Sequence, residues 1–427
     1  MIRVSHIHAI EILDSRGRPT LAATMRLDDG TVASASIPSG ASTGKAEAKE
    51  LRDDSKRYGG LGCTKAVANI RGRIADSILG REFHDQEHLD SVLCELDGTP
   101  DKSGLGANAI LATSLAFARA SAAHQKVELY EYFNQMLPDT APALPRLSVN
   151  LFSGGKHAFG QVAIQDILLV PSPNFSVCAS LAMIYDIYQT AARIAAARYK
   201  SRALTADEGG LAPPFSSSVE MLEVAADSIQ SAGYDLNGDV GLAIDAAASH
   251  FILQTGEYRI DDRILRPEEM IDLLDAWSDQ FHLVSVEDGL GEDDWAHWPL
   301  LRKRLENKTL TLADDLTCTN PSRIERAIRM EAANALLLKV NQIGTVTEAR
   351  TACLLARRAG WKISISARSG ETEDNWLADL AIGWAGDFIK VGSITQSERL
   401  AKYNRLLAIE DSAAFTGVTS SALSERR

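Results

Sequence analysis

Apolar and polar positions alternate along two stretches near the start of the chain, Val4 to Leu13 and Leu21 to Ala33, as in strands with one face on a core. Asp29-Gly30 interrupts the second stretch and favours the positive φ of a hairpin turn. A polar glycine-rich loop, SGASTG, runs from Ser39 to Gly44. From about Thr64 the spacing turns helical, most strongly over Gly106–Ala123, which reads as a core helix. These elements predict a small α+β domain over residues 1–136. Three prolines (Pro138, Pro142, Pro145) then mark 137–147 as a linker.

Beyond it, over 148–427, short apolar runs recur with helical stretches between them. The runs are DILLVP, GLAIDA, LVSVED, LTLADD, ALLLKVN, KISIS and FIKVG, and the helices include Pro267–Gln280, Thr347–Arg358 and Ser397–Glu410. That alternation predicts parallel strands joined by crossover helices. Their number, over about 280 residues, favours a closed (β/α)8-type barrel over an open sheet. The tail after Asp411 is small and polar and is expected to be loosely held.

Composition narrows the partners. A net charge of -13 disfavours nucleic acid, whose phosphates need a basic face. It leaves open a small anionic substrate, because a bound metal and a few lysines invert the field inside one pocket. The five cysteines are odd in number and lack C-x-x-C spacing, which points to a reduced cytoplasmic compartment rather than a zinc or disulfide scaffold. The N-terminus lacks an apolar h-region, so no signal peptide is expected. No run is long enough to predict a membrane span.

The chemistry is carried by what ends the apolar runs: Asp245, Glu287, Asp314, Lys339, Arg368 and Lys390. In a barrel the C-terminal ends of the strands converge on one mouth. One acid at a strand end is usually solvated, but six charges in register argue for a site. Asp245, Glu287 and Asp314 offer only oxygen donors, a set that selects Mg2+ or Mn2+ over zinc. Lys339 follows the apolar run Ala335 to Leu338. Burial beside Lys390, Arg368 and a cation is expected to lower its pKa toward neutrality and suit it to act as a base. Removing a proton beside a carboxylate creates a dianion, which needs metals and fixed cations. Arg368 and Ser369 suit a phosphate, and Glu208 in ADEGGLAP is a candidate general acid. The loops Ser39–Gly44 and Ser153–Gly160 are candidates to close over a ligand.

Together DSRGRPT (Asp14 to Thr20), SGASTG, DEGG (Asp207 to Gly210), SVEDGL (Ser285 to Leu290), LLLKVNQIGT (Leu336 to Thr345) and RSGETED (Arg368 to Asp374) resemble enolase over nearly the full chain. The resemblance implies an enolase-like barrel that opens with an irregular ββαα unit, preceded by a smaller N-terminal α+β domain. It implies a first Mg2+ on Asp245, Glu287 and Asp314, and a second that arrives with substrate and is held partly by Ser39. Lys339 would be the base at C2 and Lys390 a cation on the substrate carboxylate. Glu208 would be the acid for the departing hydroxide. His157 would close toward the phosphate gripped by Arg368 and Ser369, and Gln165 would line the mouth. It further implies a homodimer or higher homo-oligomer.

Two departures fall in the site. Ser366-Ala367 stands where the family has Ser-His, and Gln165-Asp166 where it has Gln-Glu, so the catalytic carboxylate expected at Asp166 is one methylene shorter. Lys156 and Phe159-Gly160 also differ, and an ion pair across the family's dimer interface reads here as Ala22 and Ala408. Three functions follow. One is an enolase interconverting 2-phosphoglycerate and phosphoenolpyruvate. The second is a dehydratase of an analogue. The third is a non-catalytic enolase-like binding protein, which ranks last because the metal ligands and lysines all remain. Loss of an acid–base histidine costs about 10²–10⁴ in rate, which favours the analogue. A related branch, in phosphinate antibiotic pathways, dehydrates a glycerate bearing phosphonoformate and gives carboxyphosphonoenolpyruvate. That substrate adds one carboxylate beside phosphorus, where the absent histidine leaves room.

Overall fold

The computed structural model describes residues 1–41, 43–137, 139–158, 160–200, 204–412 and 415. Ser42 of the glycine-rich loop, Pro138 of the linker, Phe159 and nearly all of the tail past 412 lie outside the described residues.

The alternating stretches near the N-terminus form β1 (Ile2–Leu13), β2 (Pro19–Leu27) and β3 (Val32–Ser36), which with β4 (Glu82–Phe83) make a sheet in the order β3-β2-β1-β4. The Asp29-Gly30 turn divides the second stretch: Gly30 has φ +90° and Thr31 N–H donates to Asp29 Oδ1 at 2.8 Å. The helix Ala107–Gln125 is buried on nearly every side and lies across β2 and β3. Its apolar residues run all round rather than along one stripe, as full burial requires.

The recurring apolar runs become strands of one closed barrel. These are β5 (Arg146–Ser153), β6 (Asp166–Pro171) and β7 (Val240–Asp245); after a small hairpin of β8 (Tyr258–Ile260) and β9 (Arg263–Leu265) come β10 (Ser285–Glu287), β11 (Leu310–Ala313), β12 (Ala335–Leu338), β13 (Lys362–Ser366) and β14 (Phe388–Gly392). The barrel order is β10-β11-β12-β13-β14-β5-β6-β7. Alternation alone predicted parallel strands throughout, and β6 corrects it by pairing antiparallel with both β5 and β7. The cause is the connection 154–165, which holds one short 3-10 turn where a parallel return needs a crossover helix. Helices Val177–Tyr199 and Ser218–Ser231 both follow β6, so the barrel opens as ββαα. Side-chain caps start several of the barrel helices: Ser176, Ser217, Asn320 and Thr345 each accept a backbone N–H of the first turn.

The small domain is pinned over the mouth. Ser39 and Gly370 exchange backbone hydrogen bonds at 2.8 and 3.0 Å, and Ser15 N–H donates to Glu371 O at 2.8 Å. A Cβ at position 370 would collide with the Asp14 carboxylate and Arg16 guanidinium, so this approach requires glycine. Among the described residues, no helix is long and apolar enough to cross a membrane.

Candidate active site

The strand register delivers the expected charges to one rim. Asp245 pairs with Glu287 across β7 and β10, and Ser366 with Lys390 across β13 and β14. A cavity at the mouth is lined by Asp245, Asp314, Lys339, Lys390, Glu208 and Arg368, together with His157, Gln165, Ala367 and Ser369.

Two lysines divide the acids between them. Lys390 Nζ donates to Asp245 Oδ2 and to both oxygens of Glu287, each at 2.8 Å. Lys339 Nζ donates to Asp314 Oδ2 at 2.5 Å, and Gln342 Nε2 donates to the other oxygen at 3.0 Å. Thr319 holds this arrangement from behind: its hydroxyl donates to Gln342 Oε1 and accepts the Lys339 backbone N–H.

Burial raises the Asp245 carboxyl, but Lys390 outweighs it and holds the group at about 2. Burial and then the Asp245 charge push Glu287 well above the carboxylate range. Lys339 departs from the sequence expectation. Burial does act to lower its pKa, yet the Asp314 carboxylate overrides that and keeps the ammonium above its ordinary value.

The donor set fits Mg2+. Asp245, Glu287 and Asp314 are 4%, 2% and 8% exposed and offer only oxygens. Gln165 donates to Asp245 Oδ2 while its own Oε1 is buried without a partner. Asp288, Asp314 and Asp315 bring oxygens within 4.8 Å of one another, with Asp288 accepting the backbone N–H groups of 314 and 315.

A second cluster faces these acids. His157 Nδ1 lies 3.1 Å from Asp166 Oδ2, and its Nε2 lies 3.9 Å from Glu208 Oε1. Burial alone would depress the imidazole, but Asp166 and then Glu208 raise it to about 9. Asp166 is corrected in place: its second oxygen accepts Ser153 Oγ at 2.6 Å, so it stands behind His157 and does not line the cavity. Asn150 Nδ2 holds Glu208 at 3.1 Å. Gly209 next to it has φ +84°, and a Cβ there would strike Thr395 Oγ1, so the turn presenting Glu208 requires glycine.

Arg368 is bidentate to Glu47 at 3.0 and 3.2 Å and donates to Asn341 Oδ1 at 3.0 Å. The fully buried Arg399 supports it by donating to the backbone carbonyls of Arg368 and Ser369, each at 2.6 Å. Ser369 Oγ accepts the Ala41 N–H at 2.8 Å.

Ser39 is the expected site residue that the fold does not bring in. Its hydroxyl donates to Glu50 Oε2 at 3.0 Å and accepts from Arg52 at 2.8 Å, inside the small domain. Sequence reasoning also passed over Glu47, Gln342, Asn150, Asp288 and His250. Gln342 stands inside the quoted motif LLLKVNQIGT and His250 lies five residues after Asp245, whereas nothing in the pattern marks Glu47.

The family model described as "Enolase, N-terminal domain" matches residues 4–133, and "Enolase, C-terminal TIM barrel domain" matches 141–423. With both parts matched and the charged barrel mouth between them, the chain belongs to the enolase family and is an enolase-like lyase.

Proposed function

We propose that the protein is a Mg2+-dependent hydro-lyase acting on the carboxyphosphono analogue of 2-phosphoglycerate and releasing carboxyphosphonoenolpyruvate and water. The observation carrying this reading is Ala367. Its methyl group lines the cavity between Ser366 and the anion-gripping pair Arg368 and Ser369, and it occupies less space there than the family's imidazole would. In this reading 1–136 caps the barrel and 148–427 carries the site, and the protein works in the cytoplasm as a homo-oligomer.

Asp245, Glu287 and Asp314 would hold the cation, with Gln165 Oε1 beside them. When bound, Mg2+ supplies positive charge that stabilises the dianion developing on the substrate carboxylate. Lys390 holds that carboxylate. Asp314, which pairs with Lys339, would also hold the cation, and with a cation on that carboxylate the pairing that keeps the lysine protonated would weaken and Lys339 would release its proton to water. Lys339 then takes the C2 proton. The electrons of that bond form C2=C3, the C3–O bond breaks, and the departing hydroxide takes a proton through Glu208, which the surrounding cations hold ionised and which draws that proton from the charged His157 imidazole 3.9 Å away. Asp166 orients His157 toward Glu208 and the phosphorus end.

A second reading, ordinary enolase chemistry on 2-phosphoglycerate, is favoured by the same cavity lining, since Lys339, Lys390, Glu208, Arg368 and Ser369 serve either substrate. The two are separated by kcat/KM for each compound in the wild type and in Ala367→His. The proposal expects the carboxyphosphono compound to be preferred and the histidine variant to lose that preference. Faster turnover of 2-phosphoglycerate by the unmodified protein overturns it.

A further inference from the structure

The cavity at the mouth is small, about 30 Å³, while a cleft of about 570 Å³ opens beside it along the loop 155–163. His250 lines both spaces and stands at their junction. It ends the short 3-10 turn Ala248–His250 that follows β7. Its Nδ1 is buried and has no hydrogen-bond partner. A buried ring nitrogen left unpaired keeps its desolvation cost, so a group that pairs with it gains by doing so. Lys156 lies on the wall of the cleft and belongs to no ion pair among the described residues. It is close enough for its charge to act on the ring: burial first, and then Lys156, lower the imidazole to about 4. The nearby Asp261 carboxylate is already engaged by Ser218 and by the Ala163 N–H.

A substrate carboxylate, C2, C3 and phosphorus engage Lys390, Lys339, Glu208 and the Arg368–Ser369 pair. A further anionic substituent therefore needs a cation and a donor not already committed. We propose that Lys156 and His250 form an anion subsite at the junction of cavity and cleft, which takes the carboxylate carried on the substrate's phosphorus. The proposal rests on the functional reading above and adds the residues that discriminate the analogue. Lys156 supplies the charge, and the imidazole supplies an N–H donor across the same opening.

The test is titration of the full chain at saturating Mg2+ with two probes, phosphonoformate and inorganic phosphate, in the wild type, Lys156→Met, His250→Phe, the double variant and Lys156→Arg. A charge-assisted contact supports a wild-type preference for phosphonoformate of about tenfold or more. That preference is expected to shrink in each single variant, vanish in the double variant and persist in Lys156→Arg, with phosphate affinity changed by less than about twofold throughout. Lys156 is exposed, so its variants report even if the His250 substitution disturbs folding. Equal wild-type affinity for the two probes, or a preference that survives Lys156→Met, overturns the subsite. Turnover is not read in this titration, so failure of the subsite is distinguishable from failure of the dehydratase reading.

Discussion

Replacing Lys390 by methionine removes the ammonium on which two buried carboxylates converge, while roughly keeping its volume. In the wild type, Nζ lies 2.8 Å from Asp245 Oδ2 and from both Glu287 oxygens, with all three residues at most 6% exposed. Burial acts to lower the ammonium, but Asp245 and Glu287 hold it well above its ordinary value. Stripping one partner from a buried ion pair costs about 3–5 kcal/mol, because the charge left behind is uncompensated. Glu287, already pushed up by burial and by Asp245, relieves part of this by taking up a proton. Urea unfolding in EDTA should therefore show the variant about 3–5 kcal/mol less stable. At the proposed site Mg2+ would return positive charge to the same oxygens, and a ligand at 100 times its Kd adds about 2.7 kcal/mol. Saturating Mg2+ should thus stabilise the variant more than the wild type. Equal stability in EDTA, or a Mg2+ effect no larger in the variant, would mean that Lys390 does not neutralise these two carboxylates.

Asp245→Asn removes the carboxylate charge at the end of β7 beside Gln165, and isothermal titration should show Mg2+ binding largely lost; unchanged binding would move the cation site elsewhere, with Asp288, Asp314 and Asp315 the next set. His157 has a folded pKa of about 9 against an unfolded value near 6.5, so its contact with Asp166 contributes fully below about pH 6.5 and is lost as pH rises through about 9. Hydrogen exchange in the turn Gly155–Ala158 should accelerate above that pH and do so at lower pH in Asp166→Asn; protection unchanged between pH 7 and 10 would contradict the pairing.

The strand ends were legible because a parallel strand with both faces buried must be apolar throughout, so a charge that terminates it stands out. Asp245, Glu287, Asp314, Lys339 and Lys390 were found that way, and the barrel register brings them together. What lies behind them was not legible. Glu47 meets Arg368 only because the small domain docks on the mouth, and nothing local announces a contact between positions so distant in sequence. Ser39 shows the converse: a polar loop residue that looks available is satisfied within its own domain by Glu50 and Arg52. The direction of the Lys339 shift was missed because only burial and neighbouring cations, which both lower it, were counted, while the shortest contact is to Asp314. The antiparallel β6 escaped the alternation rule because it depends on how little chain joins it to β5.

Proton removal at C2 by Lys339, at a barrel mouth loaded with Mg2+, is read by exchange of the C2 proton in deuterated water. The carboxyphosphono substrate and 2-phosphoglycerate are each incubated with wild type and with Lys339→Ala at saturating Mg2+, and exchange is followed by NMR. Mg2+-dependent exchange is expected in the wild type, fastest on the carboxyphosphono compound, and none above background in Lys339→Ala even though that variant still binds Mg2+. Exchange at near wild-type rate in the variant would contradict removal by Lys339 and pass the base role to another group.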